Sequence, residues 1–198
     1  MPGGSLARRL AVVRRRLDQA LDAATAAVPR VLSLCAGDGR DVVPVLAARG
    51  PARPARALLV ERDPVLAARA AASAADAGLA GVEVRCGDAA APATFADAVP
   101  ADVALLCGIF GNVSDEDVRR VVAGLPALVV PGGRAIWTRG GGTPDRRPEI
   151  CAWFTDAGCE EVAFDGAPER FGVGVHRVPA PPAAGPPSLP GPLFTFRR

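Results

Sequence analysis

The sequence predicts an α/β protein in which a mostly parallel β-sheet lies between two layers of helices. Short apolar runs, typical of buried strands, alternate along most of the chain with segments of helical periodicity. Two further strands near the C-terminal end are joined by a short link, which predicts an antiparallel hairpin. These βα repeats and the closing hairpin predict a three-layer α/β/α sandwich, mostly parallel with a terminal antiparallel β-hairpin.

The first predicted element is an amphipathic helix over residues 6–27, in which apolar residues recur every three or four positions. Five arginines crowd its first half. A basic amphipathic helix of this kind either lies on a membrane or packs at the edge of the domain with its charges in water. We favour the packed helix.

Strands and helices then alternate in sequence order. Strands are predicted at Arg30–Leu34, Ala57–Glu61, Val82–Arg85, Val103–Cys107 and Arg134–Thr138. Helices are predicted at Asp41–Arg49, Pro64–Ala77, Ala93–Ala98 and Asp115–Leu128. Asp63 and Ser114 are expected to be N-caps, because short polar side chains satisfy the free N–H groups of a first helical turn. Pro131, Gly132 and Gly133 predict a turn before the fifth strand.

The last third of the chain changes rhythm. A helix at Pro148–Ala157 is expected to stop at Gly158, and the hairpin strands follow at Glu160–Asp165 and Phe171–Val178. The seven prolines in 179–192 predict a stiff, extended segment.

Leu193–Phe196 is expected to dock as a final edge strand. We therefore divide the chain into an N-terminal helix (1–28) that is part of the same domain, an α/β domain (29–178) and a proline-rich tail (179–198).

Composition excludes several chemistries. All 23 basic side chains are arginine, so lysine Schiff bases and a Walker-type phosphate lysine are absent, and there is no tyrosine. The net charge of +2 gives no argument for nucleic acid. Five scattered cysteines without a CxxC pair predict reduced thiols and no metal site. No apolar run is long enough to span a bilayer and no signal peptide is recognisable, so we expect a cytoplasmic protein without membrane contact.

Four polar features follow the predicted strands, where a parallel sheet binds its ligands. They are the glycine turn Cys35–Arg40, Glu61, Gly87-Asp88 and the segment Cys107–Asn112. A carboxylate after the second strand suits a ribose diol, and an aspartate after the third suits an adenine amine. Together they predict a site for an adenosine-containing ligand.

Nicotinamide dinucleotides and S-adenosylmethionine both contain adenosine. The dinucleotide fingerprint needs a small third residue after the two turn glycines, and Val42 stands there. Asp38 and Asp41 surround the turn with negative charge, which suits a ligand with a sulfonium and an ammonium better than a pyrophosphate.

With these motifs the chain resembles the class I S-adenosylmethionine-dependent methyltransferases over residues 30–178, and more narrowly small methyltransferase-like proteins of high-GC bacteria. The motifs that carry the resemblance are Val31–Arg40, Val60–Asp63, Cys86–Ala89, Leu105–Phe110 and Leu128–Arg134. The resemblance implies a Rossmann-like fold, S-adenosylmethionine as methyl donor and S-adenosylhomocysteine as product. The candidate cofactor residues are Cys35, Ala36, Gly37, Asp38, Gly39, Arg40, Asp41, Glu61, Arg62, Asp88, Ala89, Cys107 and Gly108.

Two residues depart from the family pattern. Ser33 stands where the family usually has an acid, and Cys35 replaces the first motif glycine. Either Asp38 or Asp41 compensates for the missing acid, or the ligand binds weakly. The fourth motif lacks the acidic-Pro-Pro-aromatic run of enzymes that methylate base amino groups, so a small-molecule O or N acceptor is expected. The alternatives are an S-adenosylmethionine-binding protein without transfer activity and an NAD-dependent oxidoreductase.

Three single residues are candidates outside the cofactor motifs. His176 is the only histidine and would serve as a general base, or else as a structural histidine in its strand. Asn112 would orient the acceptor or hold its own turn through its side chain. Arg139, at the end of the fifth strand, would hold an acidic substrate group or be a solvated loop arginine. A monomer or a homodimer is expected.

Overall fold

A computed structural model describes residues 4–167, 171–180, 189 and 191–197. Within these residues the helices are α1 (Ser5–Asp22), α2 (Val43–Arg49), α3 (Pro64–Asp76), α4 (Asp115–Leu128) and α5 (Arg147–Asp156). The strands are β1 (Arg30–Leu34), β2 (Arg56–Glu61), β3 (Val82–Cys86), β4 (Ala101–Leu106), β5 (Val129–Gly140), β6 (Glu160–Ala167) and β7 (Phe171–Arg177).

The seven strands form one sheet in the order β3-β2-β1-β4-β5-β7-β6. Strands β1 to β5 are parallel, whereas β7 runs antiparallel to both β5 and β6. The predicted parallel sheet with a closing antiparallel hairpin is therefore confirmed. The strand order reverses between β1 and β4, which opens a crevice at the carboxyl ends of these strands.

The central strands β1, β2 and β4 are buried on both faces, so their successive residues belong to different cores. Leu32 packs with α4 and α5, and its neighbour Val31 packs with α1, α2 and α3. This arrangement explains why the parallel strands read as continuous apolar runs rather than as an alternation. It also produces the three predicted layers.

Two helix starts follow the predicted chemistry. Asp63 Oδ1 accepts the Val65 N–H at 2.8 Å and the Leu66 N–H at 3.2 Å. Ser114 Oγ accepts the Asp117 N–H at 3.0 Å. Each of these caps is worth about 1 kcal/mol, and the cap at Asp63 also places β2's last residue, Glu61, beside the helix start.

Several element boundaries differ from the sequence expectations. Helix α1 ends at Asp22 rather than at residue 27. The expected helix Ala93–Ala98 is two short 3₁₀ helices, separated by Phe95, whose φ of −136° is not helical. The expected turn at 131–133 lies inside β5, where the register against β4 shifts.

The expected edge strand at Leu193–Phe196 is not a strand: this segment has no regular secondary structure and packs against the domain. The extended proline-rich segment stays a prediction, because 181–188 and 190 lie outside the described residues. Among the helices described, none is both long enough and apolar enough to cross a membrane.

Candidate functional site

Two adjoining cavities open at the carboxyl edge of the sheet. The β2–β3 cavity has a volume of about 310 Å³ and is lined by Cys35, Glu61, Arg62, Asp63, Pro64, Asp88, Ala89 and Phe196. The α1 cavity has a volume of about 240 Å³ and is lined by Leu6, Arg9, Leu10, Val13, Cys35, Ala36, Gly37, Asp38, Arg40, Asp41, Leu66, Cys107, Gly108 and Thr138. Cys35 borders both cavities, so they form the two halves of one cleft.

All of the cofactor residues predicted from the sequence line this cleft, except Gly39. A Cβ at Gly39 would lie 3.0 Å from the Leu59 side chain, 3.1 Å from Val43 and 3.3 Å from Ala70. Gly39 therefore allows the turn to pack tightly on β2, α2 and α3 rather than to contact a ligand. Its φ of +73° also favours glycine.

The turn after β1 holds alternate residues in the left-handed region, with φ of 58° at Cys35 and at Gly37. For a non-glycine residue this conformation costs about 1–2 kcal/mol, so the family glycine at position 35 has been replaced at a local cost. Burial raises the pKa of the Cys35 thiol to about 12, with the nearby Glu61 and Asp88 carboxylates adding to the shift. The thiol is therefore neutral at pH 7.

Glu61 joins the turn to the end of β2. Its Oε2 accepts the Gly37 N–H at 2.8 Å, and its Oε1 accepts the Asp63 N–H at 2.9 Å. A carboxylate has about four acceptor positions, so two lone pairs stay available toward the β2–β3 cavity. Asp88 is similar: its Oδ1 accepts the Ala90 N–H at 2.9 Å, which leaves Oδ2 for a ligand.

Asp41 is the buried acid of the α1 cavity. Its side chain is 9% exposed, and its Oδ1 has no hydrogen-bond partner among the described residues. Burial raises the pKa of this carboxyl to about 6. By contrast, Asp38 in the same turn is paired with Arg40, whose guanidinium lowers the pKa of Asp38. Asp41 is therefore the acid of this turn with an acceptor atom to spare.

Helix α1 covers the α1 cavity with its Leu6, Arg9, Leu10 and Val13 side chains. It is held there by Arg14, whose Nε donates to the Arg40 carbonyl at 2.8 Å. Arg15 and Arg16 contact Asp165 at 2.7 and 2.6 Å. Three of the five arginines that suggested a solvated or membrane-facing helix thus attach α1 to the glycine turn and to the hairpin.

The segment after β4 is held by its own side chains. Asn112 Nδ2 donates to the Gly108 carbonyl at 2.7 Å, so Asn112 holds its turn. The Thr138 hydroxyl accepts the Gly108 N–H at 3.0 Å. Arg139 donates to the Phe110 carbonyl. Neither Asn112 nor Arg139 lines the cleft, so the structure does not bring these two predicted residues to the predicted acceptor site.

His176 lies away from the cleft, on the face of β7 that packs against α5. Its ring is fully buried and stacks on Phe154 with 4.1 Å between the centroids, and burial lowers its pKa to about 4. Its Nδ1 lies 3.2 Å from the Trp137 Nε1–H, which donates to it. This placement is that of a structural histidine and gives the predicted general base no route to a substrate.

A third cavity, of about 370 Å³, lies between α5 and the hairpin, with Cys151 and Glu161 in its lining. Ligand atoms of these two residues and of His176 lie within 4.8 Å of one another, the spacing of a metal site. However, a neutral ring that accepts at Nδ1 carries its proton on Nε2, so neither nitrogen offers a free lone pair. In this tautomer the cluster does not ligate a metal.

Sequence reasoning missed two parts of the cleft. It did not assign individual α1 residues, although it expected this helix near the acceptor, and it assigned no role to Phe196. The amphipathic pattern indicated that α1 packs on the sheet, but which strand ends it covers depends on contacts between distant residues. Phe196 carries no recognisable motif and follows a long proline-rich segment.

A mostly parallel sheet with its cleft at the point where strand order reverses defines a class of proteins that bind nucleotide-like ligands. Within that class, the family model described as "Methyltransferase domain" matches residues 31–133, more than half of the sequence. The chain belongs to this methyltransferase family. The resemblance to class I S-adenosylmethionine-dependent methyltransferases is thereby confirmed, and with it S-adenosylmethionine as the methyl donor.

Solved structures share the fold at low sequence identity. Magnesium protoporphyrin IX methyltransferase from Synechocystis, crystallised with S-adenosylmethionine, is 13% identical to this chain, with a TM-score of 0.65. The match covers 86% of this chain and 79% of the Synechocystis protein.

An O-methyltransferase family protein from Burkholderia thailandensis is 17% identical with a TM-score of 0.62, over 85% of this chain and 57% of its own. An RNA methyltransferase from Salinibacter ruber, bound to S-adenosylhomocysteine, is 22% identical with a TM-score of 0.56, over 89% of this chain and 96% of its own. No curated protein matches the sequence significantly.

Proposed function

We propose that this methyltransferase transfers the methyl group of S-adenosylmethionine to an oxygen or nitrogen atom of a small, acidic molecule. The observation that carries the proposal is the α1 cavity: it adjoins the β2–β3 cavity at Cys35 and is covered by a helix. A covered cavity of about 240 Å³ suits a small acceptor better than a polymer chain.

The residues of the cleft fit the cofactor. The free lone pairs of Glu61 suit the two ribose hydroxyls, and the free Asp88 oxygen suits the adenine amine. The unpartnered Oδ1 of Asp41 suits the ammonium of the methionine part, which the family acid at position 33 would otherwise serve. Ser33 itself is buried and lines neither cavity.

When bound, the cofactor would supply a methyl group on a sulfonium: the acceptor would bond to the methyl carbon in line as the C–S bond breaks, and the sulfur would leave as the neutral thioether of S-adenosylhomocysteine. The chain supplies the approach geometry, because α1 and the segment after β4 enclose the space next to the turn. It supplies no thiolate at neutral pH, since burial raises the pKa of both Cys35 and Cys107 far above 7. The acceptor is therefore expected to lose its own proton readily.

Arg9 supports an acidic acceptor. It lines the α1 cavity and has no carboxylate partner among the described residues. A guanidinium within about 4–6 Å of an acceptor hydroxyl would lower the pKa of that hydroxyl and favour the anion that attacks the methyl group. Phenols and carboxylates are the acceptor classes that this cation would select.

The test uses S-adenosylmethionine labelled on its methyl carbon, incubated with the protein and a cell extract separated by size. We expect label in the small-molecule fraction, and at least tenfold less with Arg9→Ala at unchanged affinity for S-adenosylhomocysteine. Arg69→Ala is the control, because this arginine is exposed on α3 and lines neither cavity. Label in RNA or protein, or none while S-adenosylhomocysteine binds tightly, would contradict the small-molecule proposal.

Asp41→Asn tests the ammonium contact. Because the folded pKa of about 6 lies above the ordinary 3.8, the native state holds the extra proton between these pH values. The stability contribution of Asp41 therefore falls as pH rises from 3.8 to 6, and the charged form costs up to about 3 kcal/mol above pH 6. We expect Asp41→Asn to raise the unfolding free energy at pH 7.5 and to bind S-adenosylhomocysteine about tenfold more weakly.

Two controls separate this role from a general effect on the cleft. 5′-Methylthioadenosine lacks the ammonium, so its affinity is expected to be the same for both proteins. Wild-type affinity for S-adenosylhomocysteine is expected to fall as pH drops from 7 to 5, since protonation of Asp41 removes the charge, and the Asn variant is expected to lack this dependence. Equal titration curves by calorimetry would exclude Asp41 as the ammonium partner.

A further inference from the structure

The end of the chain returns to the cleft. Residues 191–197, the C-terminal strap, donate three backbone hydrogen bonds at alternate positions. Leu193 N–H donates to the Ala90 carbonyl at 2.8 Å, Thr195 N–H to Asp117 Oδ2 at 3.3 Å, and Arg197 N–H to the Asn112 carbonyl at 2.7 Å. The strap is thus attached to the segments after β3 and β4 and to the first turn of α4.

Side chains also hold the strap in place. Leu193 and Phe194 are 2% and 1% exposed and belong to the core on the α4–α5 face of the sheet. Phe196 meets the buried Phe194 ring edge to face, with 5.3 Å between centroids and 70° between planes. The Phe196 ring is therefore positioned by a ring that cannot move freely.

Phe196 itself is 37% exposed and lines the β2–β3 cavity, the same cavity as Glu61 and Asp88. Its exposed face is apolar surface that a ligand can cover, and an aromatic face pairs well with a planar base. The carboxylates of the cavity suit the ribose and the exocyclic amine, which leaves the flat faces of the adenine for an apolar contact.

We propose that the C-terminal strap is part of the cofactor site and that the Phe196 ring stacks on the adenine base. This inference rests on the proposed adenosine role of the β2–β3 cavity. It adds a binding element outside residues 31–133, the range of the family match. It also couples cofactor binding to docking of the strap, because the strap is fixed to Ala90 and Asn112 in the segments after β3 and β4.

The first test measures the affinity of S-adenosylhomocysteine and of 5′-methylthioadenosine for Phe196→Ala by calorimetry. Both affinities are expected to fall about tenfold, because both ligands carry the base, and Phe196→Trp is expected to restore them. Phe164→Ala is the matched control: Phe164 is 39% exposed but lies at the third cavity. Unchanged or tighter binding to Phe196→Ala would overturn the proposal, the latter showing a ring that blocks the base.

The second test is amide hydrogen exchange at Leu193, Thr195 and Arg197. By linkage, if the strap strengthens cofactor binding, the cofactor must stabilise docking of the strap by the same factor. S-Adenosylhomocysteine is therefore expected to slow these amides in the wild type and not in Phe196→Ala. If the wild type binds the ligand and the strap amides do not respond, the strap proposal fails; if the wild type binds neither ligand, the adenosine site fails instead.

Discussion

Glu61→Ala is expected to abolish measurable binding of S-adenosylhomocysteine at micromolar concentration. The variant loses the two acceptor positions proposed for the ribose diol, and hydrogen bonds to a charged group are worth about 1.5–3 kcal/mol each. It also leaves the N–H groups of Gly37 and Asp63 without their acceptor, so the turn after β1 loses its attachment to β2. Together these losses predict a drop in affinity of about 100-fold or more.

Glu61→Gln separates the two contributions. The amide retains one acceptor oxygen but turns its NH₂ toward a backbone N–H, so we expect an intermediate loss of about tenfold. Glu83→Ala is the control, since this exposed glutamate on β3 pairs with Arg85 outside the cleft. Calorimetry measures the affinity of the three variants for S-adenosylhomocysteine, after each has been checked for a native circular dichroism spectrum. Wild-type affinity in Glu61→Ala would show that the carboxylate does not contact the cofactor.

The parts of the fold that sequence predicts are those specified by neighbouring residues. Asp63-Pro64 starts α3 because an aspartate caps the helix and proline suits its first position. Gly158, with φ of +78°, ends α5 because glycine adopts the left-handed conformation at little cost. The cofactor motifs were recognisable for the same reason: each lies in a single turn at the end of one strand.

The parts that sequence does not predict depend on residues far apart in the chain. Side chains alternate along β7, so His176 lies on the face opposite to Val173 and Val175, which belong to the core with α1. The residues around His176 in the sequence do not indicate that α5 covers its face of β7. From the sequence, an exposed His176 acting as a base and a buried structural His176 are therefore indistinguishable. The C-terminal strap is likewise not predictable from neighbouring residues, because its contacts to Asp117 and Asn112 span about 80 residues.

Gly174, in the hairpin strand β7, is also constrained by a residue far from it in the sequence. Gly174 lies directly opposite Trp137 in the antiparallel pair β5–β7, and the indole lies across it. A Cβ at 174 would lie 2.3 Å from Trp137 Cε2 and 2.4 Å from Nε1. The indole is confined by neighbouring rings, whose centroids are 5.9 Å away for Phe110 and 6.0 Å away for Phe154.

Gly174→Ala is therefore expected to lower the free energy of unfolding by about 3 kcal/mol or more. Gly140→Ala is the control: it lies on β5, no atom of the described residues lies within 4 Å of its added Cβ, and we expect a change within about 0.5 kcal/mol. Trp137→Phe removes part of the clash, so the cost of Gly174→Ala should be smaller in that background. Urea denaturation of the wild type, Gly174→Ala, Trp137→Phe and the double variant measures this coupling. An unaltered midpoint for Gly174→Ala would mean that the indole can leave Gly174 without loss.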